Sequence, residues 1–224
     1  MPDLFGPSLA SAHGITDRAT GIEKAEAARL KMIDRAFQAF GQQTNLNVPK
    51  MTLLSMMTRA QAFHDGAIEA AKSDNPFATF TLLRSYAENA AMLIWIGTKQ
   101  GELRRLYPDA PVELKFSIGK LVAHAERDSA GFRGIYEQLS RFTHPGSSTA
   151  FSGFRMTGQK PLAIVSSRPS FKNDDDFMLA CVWPIELAEA NGALWAKSWS
   201  RYFGATALWD PPDWDPTEFA PSER

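Results

Sequence analysis

The chain has 224 residues, 44% of them hydrophobic and 22% charged, with a formal net charge of −1. That balance excludes disordered and fibrous classes and leaves enough apolar mass for one sizeable core. The single cysteine, Cys181, excludes an internal disulfide and fits a reducing compartment.

Residues 1–15 contain Pro, Gly and Ser without a period and read as an N-terminal tail lacking the basic start and apolar run of a signal peptide. Thr16 or Asp17 caps a first helix to about Phe40, with Ile22, Ala25, Leu30, Ile33, Phe37 and Phe40 as its inward row. Asn45-Leu46-Asn47 and Pro49 belong to a loop. A second helix then runs from Met51 to about Lys72, with Leu54, Met57, Phe63 and Ala67 along its core face.

Pro76 opens the third helix, Phe77 to about Thr98, which is apolar nearly all round and therefore central. Its longest apolar run, Ala90 to Ile96, is too short to span a bilayer, so the expectation is a cytoplasmic protein without membrane contact. Gly101 to Pro108 forms a short basic turn, followed by a helix from Pro111 to about Arg127 and another from Phe132 to Thr143. Pro145 ends the latter, because it disfavours helical geometry at His144.

Phe151–Met156 and Leu162–Ser167 read as two short strands, giving a hairpin at about 151–167. Asp174, Asp175 and Asp176 suit the positive end of a last helix to about Phe203, which Pro184 bends or begins. The Pro- and Trp-containing segment 205–224 cannot continue it. The expected fold is mainly all-α, a five- or six-helix bundle over residues 16–204 with an inserted hairpin.

Charge is distributed unevenly. Residues 97–172 hold 12 Lys and Arg against 6 Asp and Glu, while residues 173–224 hold 3 against 10. Either the acidic C-terminal part folds over the basic middle, or the middle offers a surface to nucleic acid or another polyanion.

Two segments place ionisable groups inside apolar helical patterns. Arg84 and Glu88 share a face of the third helix with Phe80, Ala91 and Trp95. Tyr136, Ser140 and His144 share an edge of the fifth, beside Ile135, Leu139 and Phe142. Charged groups on core-facing stripes are costly without partners, so the two segments are expected to satisfy one another. His144, at a helix C-terminus, is the candidate general acid or base, with Ser140 and Tyr136 as hydrogen-bonding neighbours. A Ser140–His144–Glu88 nucleophilic triad lacks the Gly-x-Ser-x-Gly elbow and an oxyanion loop.

His13, His64, His124 and His144 are scattered without metal-ligand spacing, and no glycine-rich nucleotide motif occurs, so neither metal nor cofactor is expected. His64-Asp65 and His124-Ala125-Glu126 read as solvated faces, and Cys181 as a small buried hydrophobe. Trp195, Trp199, Tyr202 and Phe203 make an aromatic edge explained by core packing or self-association.

The run Arg84-Ser-Tyr-Ala-Glu88, followed by Tyr136-Glu-Gln-Leu-Ser140-Arg-Phe-Thr-His144-Pro, resembles a group of bacterial helical proteins with Arg-x-x-x-Glu and Tyr-x-x-Leu-Ser-x-x-x-His motifs. That group is similar, more distantly, to the HEPN superfamily of helical bundles, and the likeness covers roughly residues 50–150. It implies a homodimeric, metal-independent ribonuclease of the toxin or phage-defence type. RNA or a nucleotide is the implied ligand, and an antitoxin-like protein the implied partner. The implied site is Arg84, Glu88, Tyr136, Ser140, Arg141 and His144. Catalytic HEPN members place Arg four to six residues before His, whereas Arg141 precedes His144 by three, so Arg84 is the alternative source of the guanidinium.

Two other readings fit the same residues. In one, the polar centre only locks two helices of an interaction or dimerisation module. In the other, Trp95, Tyr136, Phe151 and Phe154 line the pocket of a small-ligand sensor.

Overall fold

The computed structural model describes residues 7–40, 45–99, 101–108, 110, 116–143, 154–156, 163–165 and 168–204. In chain order these form α1 (Pro7–Ala12), α2 (Arg18–Phe40), α3 (Val48–Lys72), α4 (Pro76–Thr98) and a 3-10 turn (Glu102–Leu106). They continue with α5 (Ile118–Asp128), α6 (Phe132–Thr143), β1 (Phe154–Met156), β2 (Ala163–Val165) and α7 (Asp174–Phe203). β1 and β2 pair antiparallel, with Arg155 opposite Ile164. The fold is mainly all-α, and no helix among the described residues is long and apolar enough to cross a membrane.

Side-chain caps set the helix starts. Asp17 accepts from the Thr20 backbone N–H at 2.8 Å, Asn75 from Ala78 at 3.1 Å and Asn173 from Asp176 at 2.7 Å. Asn47 does the same for Lys50 at 3.1 Å, so α3 begins at Val48 rather than Met51, with Pro49 in its first turn. α7 runs continuously through Pro184 and begins at Asp174, so the proline does not mark its start.

The expected tail over residues 1–15 needs correction, since Pro7–Ala12 is a helix and raises the described α-helices to seven. Six residues cannot hold a helix alone. Here Ala10 and Ile15 are buried, α1 packs on α7, and His13 Nε2 meets Glu186 Oε1 at 2.7 Å.

α7 is the backbone of the bundle, packing on α1, α2, α3 and α4. α2 meets it through small residues: Ala25, Ala28, Met32 and Ala36 are buried, while Leu30 and Phe37, expected inward, are 59% and 70% exposed. The reason is close helix approach. A Cβ on Gly21 would lie 3.0 Å from Cys181 Sγ, and one on Gly192 would lie 3.5 Å from the Met32 side chain. A branched residue on that face would force the helices apart. Trp195 and Trp199 stack at 5.0 Å in the resulting core, and the Trp195 indole donates to the Leu53 carbonyl at 2.6 Å. Cys181, nearer the start of α7, is also buried, which pushes its thiol pKa up to about 12.

Polar side chains also sit in this core, among them Asn89, Asn191 and His64. Asn89 donates to Asn191 Oδ1 at 2.9 Å, and Asn191 donates to the Leu187 carbonyl at 2.9 Å, tying α4 to α7. His64, expected on a solvated face, is fully buried; its Nε2 lies 2.9 Å from the Ala25 carbonyl and its ring meets Tyr86 edge-on at 5.9 Å. Burial holds the His64 pKa below its ordinary value; the Ala25 carbonyl and Asp65 pull it back up, and Arg29 opposes them. Nδ1 is buried without a hydrogen-bond partner among the described residues.

The unfolded chain takes up a proton at an ordinary histidine pKa, and the folded chain does so only at lower pH. The stabilisation from neutral His64 is therefore complete above about pH 6.5 and is lost as pH falls towards the folded value. Urea midpoints should drop between about pH 7.5 and about pH 5.5, and by less in His64→Gln; an equal drop in both proteins would contradict this assignment.

Candidate functional site

α6 lies across the side of α4 opposite its start-to-end direction, as its contacts show. Phe142, near the end of α6, stacks on Phe80, near the start of α4, with centroids 3.9 Å apart and rings 14° from parallel. Leu139 is buried and Ile135 partly so, which completes the apolar seam. One helical turn beyond Phe80 this seam meets Arg84, and one turn further Glu88.

Tyr136 resolves the problem of placing those charges there. Its hydroxyl accepts from Arg84 Nε at 3.1 Å and Nη2 at 2.9 Å, and donates to Glu88 Oε1 at 2.9 Å. The guanidinium also stands 5.3 Å from the Tyr136 ring centroid, and Arg84 Nε lies 3.3 Å from Glu88 Oε1. Arg84 Nη1 donates to Thr143 Oγ1 at 3.1 Å, and that hydroxyl donates to the Ser140 carbonyl at 2.9 Å. The side chains of Arg84 and Glu88 are 25% and 18% exposed, so the centre is half-buried rather than dry. Burial raises the Tyr136 pKa, Arg84 opposes that, and Glu88 adds to it, so the phenol stays protonated and available as a donor.

The nominated residues thus divide. Arg84, Glu88 and Tyr136 converge. Ser140 contributes its backbone carbonyl, while its Oγ is buried with no hydrogen-bond partner among the described residues. Arg141 is exposed on the last turn of α6. His144 and Phe151 lie outside the described residues. Thr143 was missed, although it lies inside the Tyr136–His144 motif; its hydroxyl reads as an ordinary helix-end residue until Arg84 is placed beside it.

Trp95, three turns along the same face of α4, turns to other partners. Its indole donates to Glu102 Oε2 at 2.7 Å, and its ring meets His124 at 5.0 Å and Phe116 at 6.1 Å. His124, expected to be solvated, is part-buried, with Nε2 2.6 Å from Thr98 Oγ1. A depression of about 550 Å³ between α2 and α3, lined by Glu26, Arg29, Asp65 and Glu69 among others, includes none of the nominated residues. Its charges are closed into the pairs Arg29–Asp65 and Lys72–Glu26. Among the described residues no three His, Cys, Asp or Glu side chains are grouped to hold a metal ion.

Comparisons with protein-family models, with curated proteins and with solved structures gave no match.

Tyr136→Phe removes one hydroxyl that serves two charged partners, so it should lower stability by about 1–2 kcal/mol in urea denaturation. A change within a few tenths of a kcal/mol would show that Arg84 and Glu88 do not depend on it.

Proposed function

We propose that this protein is an HEPN-like, metal-independent ribonuclease acting through Arg84, Tyr136 and His144. One observation carries the reading: Arg84, from α4, donates to Thr143 Oγ1 at 3.1 Å, and Thr143 is the residue immediately before His144. That bond supports a reading in which the arginine that local spacing along α6 does not supply at the usual distance comes from a different helix.

In this chemistry the RNA 2′-hydroxyl attacks the adjacent phosphorus and the 5′-oxygen leaves. The products are a 2′,3′-cyclic phosphate and a 5′-hydroxyl end. His144 takes the proton from the 2′-hydroxyl or gives one to the 5′-oxygen, and Arg84 offsets the charge that grows on the phosphoryl oxygens. Tyr136 and Glu88 hold the guanidinium plane in place, which makes them positioning residues. The resemblance adds a homodimer and an antitoxin-like partner to this proposal, and the reading of the sequence itself adds a cytoplasmic setting.

A second reading is favoured by the same contacts. Arg84 Nε, Nη1 and Nη2 all donate to α6, which is what a purely structural lock between two helices requires. The two readings part at His144. His144→Ala should cut cleavage of a single-stranded RNA by about 100-fold or more while leaving thermal stability nearly unchanged. Full retention of activity, or no activity in either protein, removes the enzyme and leaves the lock.

A further inference from the structure

Within the basic excess of residues 97–172, Lys99, Arg105, Lys120 and Arg127 lie at the end of α4, on the 3-10 turn and on α5, while the α7 carboxylates Asp174, Glu186 and Glu189 are bound elsewhere. Asp174 binds Arg18 at 2.7 Å, Glu189 binds Arg35 at 3.2 Å, and Glu186 faces His13. All three carboxylates are spent on α1, α2 and the turn between them. α5 instead packs on α4 and α6.

Of the carboxylates near these cations, Glu102 and Glu126 are engaged by hydrogen bonds, and Asp128 is exposed at the end of α5. Glu102 accepts from the Trp95 indole at 2.7 Å and from Arg105 at 2.6 Å. Glu126 accepts the backbone N–H groups of Gly131 at 3.1 Å and Arg133 at 2.6 Å, capping the start of α6. Burial pushes the Glu102 pKa up, but the bonds from Trp95 and Arg105 outweigh it, so the pKa is lowered on balance and the carboxylate stays ionised.

Cations and rings alternate around what remains. Lys99 Nζ stands 3.7 Å from the Trp95 ring centroid, and the Arg105 guanidinium 4.2 Å from that of Phe116. Lys120 and Arg127 are exposed on α5, and with His124 between them they fall on one helical face. Arg127 Nη2 lies 3.1 Å from His124 Nδ1, so that nitrogen accepts and Nε2 donates to Thr98. His124 is therefore a neutral spacer in a cationic surface, not a competing charge. Burial first, then Arg127 and Lys99, lower its pKa.

We infer that the surface formed by the end of α4, the 3-10 turn and α5 binds the backbone of a single-stranded nucleic acid. Interleaved rings and cations suit a polymer that alternates flat bases with phosphates, whereas a duplex hides its bases. Trp95 and Arg84 share a face of α4 and stand eleven residues, or about 16 Å, apart along its axis. A strand held at Trp95 and Lys99 is thus bound within about 16 Å of the Arg84 centre. The inference deepens the ribonuclease reading by giving its substrate a place to lie, but binding here does not require cleavage there.

The test is fluorescence anisotropy of a labelled uridine dodecamer RNA with the full chain. Binding should weaken with salt, with a log–log slope of about −2 to −3 for four contacted phosphates. Lys120→Glu combined with Arg127→Glu, both at exposed positions, should weaken binding by about tenfold or more. Lys31→Glu, on the exposed side of α2, should leave it unchanged. His144→Ala should bind like the unmodified chain, so intact binding with no cleavage in either protein removes the catalytic reading and keeps this one. Unchanged affinity in the double variant overturns the inference, as does tighter binding of a duplex of equal length. A labelled peptide of residues 205–224 that binds this surface while the RNA does not would assign it to the chain's own C-terminal segment, and that too overturns the inference.

Discussion

A tyrosine hydroxyl holds together the polar centre between α4 and α6. α4 is buried on most of its circumference yet carries an arginine and a glutamate one turn apart. Neither could sit against α6 without a neighbour that both accepts and donates. Tyr136 does both at once, accepting from Arg84 and donating to Glu88. A phenylalanine there would fill the same space, but Glu88 would lose its phenolic donor, while Arg84 would keep Glu88 and Thr143. The Phe80–Phe142 stack, one turn away, supplies the apolar contact that brings the polar groups into register.

The rest of the bundle provides a rigid frame for that contact. α7 crosses α2 at glycine and alanine positions close enough that side chains larger than a methyl group would not fit without a shift. It grips α4 through the Asn89–Asn191 bond and through Tyr202, whose hydroxyl donates to the Ile96 carbonyl at 3.1 Å. α4 is thereby fixed on one side by α7 and offers its opposite, mixed face to α5 and α6. That division puts the α7 contacts on one side of α4 and its charged groups on the other, beside the Phe80–Phe142 stack.

How much of this the sequence could reveal follows from the range of each interaction. Helix starts rest on local bonds, so Asp17, Asn75 and Asn173 mark them well, and Asn47 would have done so had Pro49 been given its first-turn role. The partnership of the Arg84 and Tyr136 segments was legible because unpaired charge on an apolar stripe demands a neighbour. The inward face of α2 was not. Apolar periodicity favours Leu30 and Phe37, but the distance of closest approach to α7 selects alanines, and that distance is set by Gly21 on α2 and by Gly192, more than 150 positions away. His64 was misjudged through its exposed-looking neighbour Asp65, although successive residues on a helix point about 100° apart. Thr143 and the Trp95–His124 contact depend on where α5 and α6 dock, which no local pattern encodes.

The account stands on energetic coupling across the α4–α6 interface, and a double-mutant cycle between Arg84→Met and Tyr136→Phe measures it directly. If the hydroxyl and the guanidinium stabilise each other as their geometry indicates, the two losses will fall short of additivity by about 1 kcal/mol or more. Losses that add to within about 0.3 kcal/mol would mean the two side chains act independently, and the polar centre described here would have no existence as a unit.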